Sequence, residues 1–149
     1  MKEIWKNIPD YDRYYKASNL GRIKSLKRTC LYSDRINLRT VNERILKQSR
    51  DKNCYPIVGL SKEGKVKQIP VHQLVAMCFH GYIRNGLNDY VVNHIDFNKE
   101  NNIVTNLEII TNRENSNKKH IKSTSEYVGV HWHKATKKWQ ASISIKRKM

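Results

Sequence analysis

The segment from residue 71 to residue 117 changes its apolar period twice, and this change constrains the fold more than any other feature of the chain. Apolar residues recur at helical spacing over 71–79, which predicts a short amphipathic helix. Residues 90–94 and 107–110 are short runs typical of strands, and a long polar loop over 96–106 lies between them. Two strands and a helix in one segment indicate an α+β fold.

A second helix is predicted directly after the second of these strands. Thr111 and Glu114 have the Thr-x-x-Glu spacing of a capping box, in which two side chains satisfy backbone N–H groups at the start of a helix. Asn115 then lies in the first or second turn. The segment is therefore predicted to form a hairpin followed by a helix.

This hairpin and helix place a histidine and three amide side chains where they could meet: His94, Asn93, Asn106 and Asn115. A histidine beside oxygen-bearing side chains can hold a hard divalent metal and position a water molecule. A neutral imidazole can then take the proton of that water as it attacks phosphorus. A lone histidine in a polar loop is more often a surface residue, so the residues alone leave both interpretations open.

The chain before residue 71 is predicted to be rich in short strands. Residues 21–26 alternate apolar and polar, and residues 55–60 and 65–69 flank a turn that contains Gly64, which favours a hairpin. Lys65 and Lys67 fall on the face opposite Val66, so we expect one face to pack and the other to meet phosphate. Residues 1–70 are thus predicted to form one module and residues 71–120 a second.

A third module is predicted over residues 121–149. Residues 118–125 are polar and basic, as in a linker, and residues 127–132 and 138–145 flank a turn at 134–137, which favours a second hairpin. The tryptophans can stack on bases, but in modules this small they are expected to anchor a core instead; they are Trp5, Trp132 and Trp139.

Charge points to a polyanionic partner. The chain has 29 Lys and Arg against 13 Asp and Glu, a formal net charge of +16, and the excess lies on both sides of a locally acidic centre at 89–108. Nucleic acid is the commonest such partner, and ribosomal RNA or acidic lipid is an alternative. The candidate phosphate-binding residues are Arg22, Lys24, Lys27, Arg28, Lys65, Lys67, Lys134, Lys137 and Lys138.

Other composition features exclude several classes of protein. The 3 cysteines show no Cys-x-x-Cys spacing, so neither a zinc knuckle nor a disulfide framework is supported. No apolar run approaches the roughly 20 residues of a membrane span, and the N-terminus does not resemble a signal peptide. We therefore expect no membrane association, and a location in the cytoplasm.

The order His94, Asn106, Asn115, with Asn-His-Ile-Asp-Phe-Asn-Lys-Glu-Asn-Asn starting at Asn93, resembles the HNH endonucleases, and in particular the homing endonucleases of phages and introns. The preceding residues 71–76 resemble the segment that commonly comes before that motif. Residues 4–11 and 15–25 resemble a small DNA-binding module often fused to such nucleases. Residues 29–53 are the least explained.

The C-terminal residues 127–145 resemble the first hairpin of ethylene-response-factor-type DNA-binding domains, which accompany phage HNH enzymes. A full domain of that type continues with a third strand and a helix. The one here is therefore expected to be either degenerate or truncated.

The HNH resemblance implies a role for each residue of the motif. His94 would be the general base and Asn115 a metal ligand from the helix, while Asn106 would brace the loop and orient His94. Asn93 stands where many members have an aspartate ligand, so weaker metal binding and slower turnover are implied. One divalent ion per site, Mg²⁺ or Mn²⁺, is expected, and zinc is disfavoured because no thiolate is available.

The implied function is site-specific cleavage of double-stranded DNA by a monomer, most simply as a nick in one strand. One alternative is a DNA-binding regulator whose nuclease motif has decayed at Asn93, and another is a basic RNA-binding protein. Outside the motif, His72 is expected to be structural, and Asp96 to cap the loop. His131 and His133 are expected on an exposed hairpin face that meets DNA.

Overall fold

The computed structural model describes residues 1–31, 37–84, 89–118, 125, 127 and 129–142. Its first part is a succession of short strands, as the sequence predicts. They are β1 (Trp5–Asn7), β2 (Tyr15–Ser18), β3 (Ile23–Ser25), β4 (Arg28–Leu31), β5 (Leu38–Val41), β6 (Arg44–Ile45), β7 (Ser49–Arg50), β8 (Pro56–Lys62) and β9 (Lys65–Pro70).

These strands form two antiparallel sheets and a separate hairpin. The order in the first sheet is β1-β2-β3-β6, and in the second it is β7-β8-β9. The hairpin of β4 and β5 lies within the part of the chain that the sequence explains least, and its strands are largely exposed. The alternation of apolar and polar residues at 21–26 correctly predicted β3, where Ile23 and Ser25 are buried around half-buried Lys24.

The predicted hairpin of β8 and β9 is confirmed, but one detail of its predicted packing is wrong. Its turn places Glu63 and Gly64 at φ values of 53° and 75°, in the left-handed region that glycine tolerates best. Val66 was expected to pack, yet it is 64% exposed, whereas Ile69 is only 4% exposed. The reason is that β9 is the edge strand of its sheet and meets the core only near its C-terminal end.

Helix α1 (Val71–Phe79) has the predicted bounds and lies at the centre of the core. Val71, Leu74 and Val75 are fully buried, as the helical spacing of the apolar residues requires. They pack with apolar side chains from both N-terminal sheets and from the following hairpin: Ile8, Tyr11, Tyr15, Ala17, Ile23, Val58, Leu60, Ile69 and Leu107. A single core therefore extends across residue 70.

The predicted hairpin and helix follow α1 in the described chain. Strand β10 (Tyr90–His94) pairs antiparallel with β11 (Leu107–Thr111), and Asn93 lies opposite Glu108. Helix α2 (Asn112–Asn117) begins directly after β11 and contacts both strands. Both hydrogen bonds of the Thr111–Glu114 capping box are formed, which confirms the predicted start of the helix.

The C-terminal hairpin consists of β12 (Val130–His133) and β13 (Lys138–Ala141), and the rest of its predicted second strand, 142–145, lies largely outside the described residues. Trp132 and Trp139 face each other across the strands with ring centroids 5.4 Å apart. They are 42% and 54% exposed, so they are not the core anchors that the sequence predicted. A two-stranded hairpin needs a second layer to bury such rings, and the described residues supply none.

None of the helices in the described ranges is long and apolar enough to cross a membrane.

Candidate active site

His94 ends strand β10 with its ring almost completely buried. His94 is 4% exposed, and its Nε2 atom is 3.0 Å from Oδ1 of Asn102. Asn102 is equally buried and donates through Nδ2 to the carbonyl oxygen of Glu100, at 3.2 Å. Its amide oxygen is therefore the atom that faces His94. Because that oxygen can only accept, the imidazole carries its proton on Nε2.

This tautomer leaves Nδ1 of His94 as the basic nitrogen. Among the described residues, the one buried side-chain nitrogen or oxygen without a hydrogen-bond partner is Nδ1 of His72. Nδ1 of His94 makes no hydrogen bond to a described residue and is not one of these buried atoms, so its lone pair is not engaged. A neutral imidazole with one nitrogen anchored and the other unengaged has the arrangement that a general base needs.

The His94 ring is held between two other rings. His72 on α1 meets it edge to face with centroids 5.1 Å apart, and Tyr55 stacks on it at 6.2 Å. Tyr55 also contacts His72 at 5.0 Å, and the ammonium of Lys99 lies 4.5 Å from the centroid of Tyr55. The packing of the three rings fixes the orientation of His94, in addition to the hydrogen bond with Asn102.

His72 is a neutral neighbour for the proposed base. Burial, and then the nearby His94, lower the pKa of His72 from its ordinary value of 6.5 to about 4, against a smaller opposing effect of Asp51. This imidazole is therefore uncharged at neutral pH. Because His72 carries no charge, the electrostatic environment of His94 is determined by Asn102 and the surrounding loop.

The loop that carries Asn102 is fixed by the N-terminal strands. Gly21 has a φ of +79°, and a Cβ added there would lie 2.9 Å from Cβ of Asn102, so only glycine allows this close approach. Two residues further on, the Val104 N–H donates to the carbonyl oxygen of Asn19 at 2.9 Å. An ion pair between Arg50 and Glu100 adds a third contact. The N-terminal part of the chain thus positions the partner of His94.

Asn106 braces the same loop from its other end. Its Nδ2 atom donates to Oδ1 of Asp96 and to the carbonyl oxygen of Asn101, both at 2.8 Å, and its backbone oxygen accepts from Ile95 at 2.9 Å. The hydrogen bond from Asn101 does most to lower the pKa of Asp96, and those from Asn98 and Asn106 add to it. No hydrogen bond joins Asn106 to His94 in the described part of the chain.

Asn93 contacts a carboxylate across the hairpin. Its Nδ2 atom donates to Oε1 of Glu108 at 2.7 Å, and the ammonium of Lys118, just after α2, pairs with the same oxygen. The hydrogen bond from Lys118 does most to lower the pKa of Glu108, and the one from Asn93 adds to it. Adjacent residues of a strand face opposite sides, so Asn93 and His94 reach the end of β10 from its two faces.

The donors around Asn93 fit a hard divalent cation. Asn93 and Asn115 each carry an amide oxygen, and Asn115 is half-buried on α2, which packs against both strands. The carboxylate of Glu108 adds a negative charge beside them. Across the described ranges, no group of three or more His, Cys, Asp or Glu side chains is arranged to hold a metal ion. Oxygen donors of this kind, completed by water, suit Mg²⁺ or Mn²⁺.

The basic residues singled out in the sequence fall into two groups. Arg22 pairs with Glu3, Lys24 pairs with Glu43, and Arg28 is half-buried. The Arg28 guanidinium donates to oxygen atoms of Tyr14, Tyr15, Ser25 and Leu26. The others are exposed: Lys27, Lys65, Lys67, Lys134, Lys137 and Lys138. In the C-terminal hairpin His131 is exposed, and Nδ1 of His133 lies 2.8 Å from Oγ1 of Thr136.

Three side chains at this site were not identified from the sequence. Asn102 belongs to a run of polar loop residues that no spacing rule separates, and Glu108 is the polar position of an otherwise apolar strand. Tyr55 lies in a different part of the fold, 39 residues before His94 in the numbering. Glu108 meets Asn93 within the hairpin itself, whereas Tyr55 meets His94 only when the N-terminal part of the chain packs on the hairpin.

Comparison with known proteins shows which sequence families the chain matches. Residues 3–61 match the NUMOD4 motif, and residues 70–117 match the HNH endonuclease family. DNA endonuclease I-HmuI of Bacillus phage SP01 is 37% identical over 111 residues, which are 74% of this chain and 54% of I-HmuI. Two uncharacterized HNH endonucleases of Acanthamoeba polyphaga mimivirus are 47% and 32% identical over 47% and 76% of this chain.

The solved structure described as "DNA binding and cleavage by the HNH homing endonuclease I-HmuI" superposes with a TM-score of 0.58 at 35% identity. The match covers 75% of this chain and 55% of that one. The chain thus spans about half the length of I-HmuI, and it covers 20% and 25% of the two mimivirus proteins.

Proposed function

Because the chain belongs to the HNH homing endonuclease family, we propose that it is a site-specific DNA endonuclease in which His94 is the general base. The observation that carries this proposal is the hydrogen bond between Nε2 of His94 and Oδ1 of Asn102, which leaves the lone pair of Nδ1 unengaged among the described residues. A histidine that served only the core would not need one ring nitrogen fixed and the other left free to accept a proton. The geometry therefore favours a role in proton transfer.

In this mechanism Nδ1 of His94 accepts a proton from the water that attacks the phosphorus atom, while the proton on Nε2 stays in its hydrogen bond to Asn102. The rings of His72 and Tyr55 keep the imidazole in place during the transfer. A bound divalent metal, Mg²⁺ or Mn²⁺ with one ion per site, supplies electrostatic stabilisation of the charge that develops on the phosphate and the leaving group. Asn93 and Asn115 hold that ion through their amide oxygens, and Asn106 keeps the loop in register.

DNA is held by the exposed lysines on both sides of the nuclease motif. Within the described part of the chain, Lys65 and Lys67 on β9 and the lysines of the C-terminal turn lack the internal contacts that engage Arg22, Lys24 and Arg28. The partner is double-stranded DNA, and one active site in a monomer produces a nick. We propose that the N-terminal and C-terminal modules both contact the DNA. We also propose that the protein acts in the cytoplasm of a bacterial host.

Cleavage of a DNA library tests this function. The purified chain is incubated with fragmented phage and host genomic DNA and either Mg²⁺ or Mn²⁺, and the new ends are sequenced. The wild type should produce ends at a defined sequence, which disappear in chelator. His94→Ala should lower the rate at that site by at least about a hundredfold, because the attacking water then has no base.

The control variant is His131→Ala, which removes an exposed imidazole from the C-terminal hairpin. With protein in excess over a saturated duplex it should cut at the wild-type rate, because the loss of a DNA contact in that hairpin weakens binding and leaves the chemical step intact. If wild type and His94→Ala are equally inert on a duplex that both bind, the protein is a DNA-binding regulator, and the amide at Asn93 in place of an acid is the feature that favours this second function. Tighter binding to RNA than to duplex DNA would contradict both.

A further inference from the structure

The side chain of Asn93 is oriented by a partner that cannot donate. An amide of this kind has two orientations that exchange its oxygen and nitrogen atoms. Glu108, directly opposite on β11, accepts from Nδ2 at 2.7 Å, and an ionised carboxylate has no hydrogen to offer the other atom. The NH₂ group must therefore face Glu108, and Oδ1 must point away from it.

We propose that Glu108 is a positioning residue that makes Asn93 an effective metal ligand. This inference rests on the proposed function, since it concerns the same metal. Glu108 acts through the amide in two ways. It holds the oxygen of Asn93 toward the cation, and its charge polarises the N–H groups so that the amide oxygen becomes more negative.

Glu108 also places a carboxylate beside Asn93. Many HNH endonucleases have an aspartate where this chain has Asn93, and a neutral amide lacks its charge. The carboxylate of Glu108 is hydrogen-bonded to that amide, and its ion pair with Lys118 offsets part of the negative charge. Loss of a carboxylate that orients a metal ligand in this way commonly changes metal affinity by roughly 10-fold to 100-fold.

Lys118 holds the carboxylate in position. Its ammonium pairs with the oxygen of Glu108 that accepts from Asn93, and both side chains of the ion pair are about one third exposed, at 32% and 30%. Lys118 follows α2, the helix that carries Asn115. The ion pair therefore ties the helix bearing one proposed ligand to the strand that orients the other.

Mn²⁺ affinity, measured on the full chain by electron paramagnetic resonance of the free ion, tests this proposal without depending on cleavage. Glu108→Gln should weaken Mn²⁺ binding by about tenfold or more, because a glutamine carries no charge and can present either amide atom to Asn93. Glu43→Gln is the matched control, since it removes the same charge from an exposed ion pair with Lys24. It should bind Mn²⁺ as the wild type does.

The decisive comparison repeats Glu108→Gln in an Asn93→Asp background. The aspartate introduced there has no N–H for Glu108 to accept, and two adjacent carboxylates repel each other. Losing Glu108 in that background should therefore leave Mn²⁺ affinity unchanged or raise it. A loss in both backgrounds would make Glu108 a direct ligand and overturn the proposal. No loss in the wild-type background would overturn it as well.

Thermal unfolding of each variant in chelator separates a folding defect from a binding defect. Glu108→Gln loses the ion pair with Lys118, so it should unfold at a somewhat lower temperature without metal. The proposal requires, in addition, that Mn²⁺ stabilise this variant less than it stabilises the wild type. A wild type that binds no Mn²⁺ contradicts this inference together with the metal in the proposed function. A wild type that binds Mn²⁺ as described but cuts no DNA contradicts the proposed function alone.

Discussion

Asn102 controls which nitrogen of His94 is basic, and its replacement by aspartate should change the pH dependence of cleavage. A carboxylate in place of Oδ1 accepts from Nε2 as well, but its charge stabilises the imidazolium. We therefore expect the acid limb of the rate profile of Asn102→Asp to move about one pH unit upward. Single-turnover cleavage rates measured from acidic to mildly alkaline pH give this shift.

Asn98→Asp is the control for this variant. It adds the same charge to the same loop, and its oxygen still accepts from the Glu100 N–H as that of Asn98 does. Its profile should match the wild type. An equal shift in both variants would assign the effect to the general charge of the loop and not to the hydrogen bond with His94.

His72 makes the stability of the protein depend on pH. Its pKa is about 4 in the folded state and 6.5 when exposed, so between these values the unfolded chain binds the extra proton. Above the unfolded pKa of His72 this residue does not reduce the free energy of unfolding. As pH falls toward the folded pKa, the free energy of unfolding decreases by about 3 kcal/mol in all. His72→Phe keeps a ring beside His94 and should remove this part of the pH dependence.

Urea unfolding at neutral pH and at a pH just above the folded pKa measures the effect of His72→Phe. The variant should lose less stability than the wild type between the two conditions. At neutral pH it should be no less stable, because the buried Nδ1 has no partner to lose among the described residues. His131→Phe, at an exposed position, should retain the full wild-type dependence. Equal pH dependence in all three proteins would contradict a neutral, buried His72.

Individual residues show where sequence reasoning succeeds and where it stops. The spacing of His94, Asn106 and Asn115 is local enough to be seen in the chain, and the resemblance supplied their roles. Asn106 was expected to brace the loop and orient His94; it does hydrogen-bond within the loop, and the ring nitrogen Nε2 contacts a second loop amide, Asn102. Gly21 packs closely on Asn102 from outside the motif, so the local sequence does not reveal that contact.

At the scale of elements, the start of α2 depends on Thr111. Its hydroxyl accepts from the Glu114 N–H at 3.1 Å, and Glu114 accepts from the Thr111 N–H at 2.8 Å. Thr111→Ala should cost about 1 kcal/mol in the free energy of unfolding. Because α2 carries Asn115, the variant should also bind Mn²⁺ less tightly than the wild type.

Hydrogen exchange of the α2 amides, together with urea unfolding, checks this prediction. Thr40→Ala changes an exposed threonine on β5, outside any helix cap, and serves as the control. Faster exchange in α2 only for Thr111→Ala is the expected pattern. Unchanged exchange in that variant would mean that packing against β10 and β11, and not the cap, determines the order of the helix.

Elements with strong local signals were predicted well, and those decided by packing were not. The bounds of α1 and β10 and the cap of α2 follow from apolar period and capping chemistry, both of which are local. The exposed faces of Val66 and of the Trp132–Trp139 pair depend on whether a second layer covers them. A pattern of apolar residues does not contain that information.

At the scale of the whole molecule, the basic surface should make DNA binding strongly dependent on salt. If about six phosphates are neutralised, the logarithm of the affinity should fall with the logarithm of the salt concentration at a slope of about −5. Lys65→Ala and Lys67→Ala should each reduce that slope by about 0.9. Fluorescence anisotropy with a labelled duplex at several salt concentrations gives the slope.

Arg28→Ala provides the contrast for these lysine variants. Its guanidinium is used inside the N-terminal sheet, where it contacts the rings of Tyr14 and Tyr15. The variant should therefore lose stability and keep the wild-type slope. A reduced slope with unchanged stability would place Arg28 on the phosphate backbone, as the sequence predicted.

The predicted boundary between modules at residue 70 stays a prediction, and one apolar core extends across it. The charge pattern and the change of period predict the boundary, and α1 packs against apolar side chains from both sides of it. The two sides of such a boundary can be interpreted separately in a sequence, but a shared interior is visible only in three dimensions.

The contact between Gly21 and Asn102 leaves no room for a hinge between the N-terminal strands and the loop beside His94. If those strands read the target, the reading surface and the imidazole belong to one rigid frame. The number of base pairs between the recognised sequence and the broken bond is then fixed. We expect every cut to fall at one offset from the target, whereas a flexible connection would scatter the cuts over several neighbouring positions.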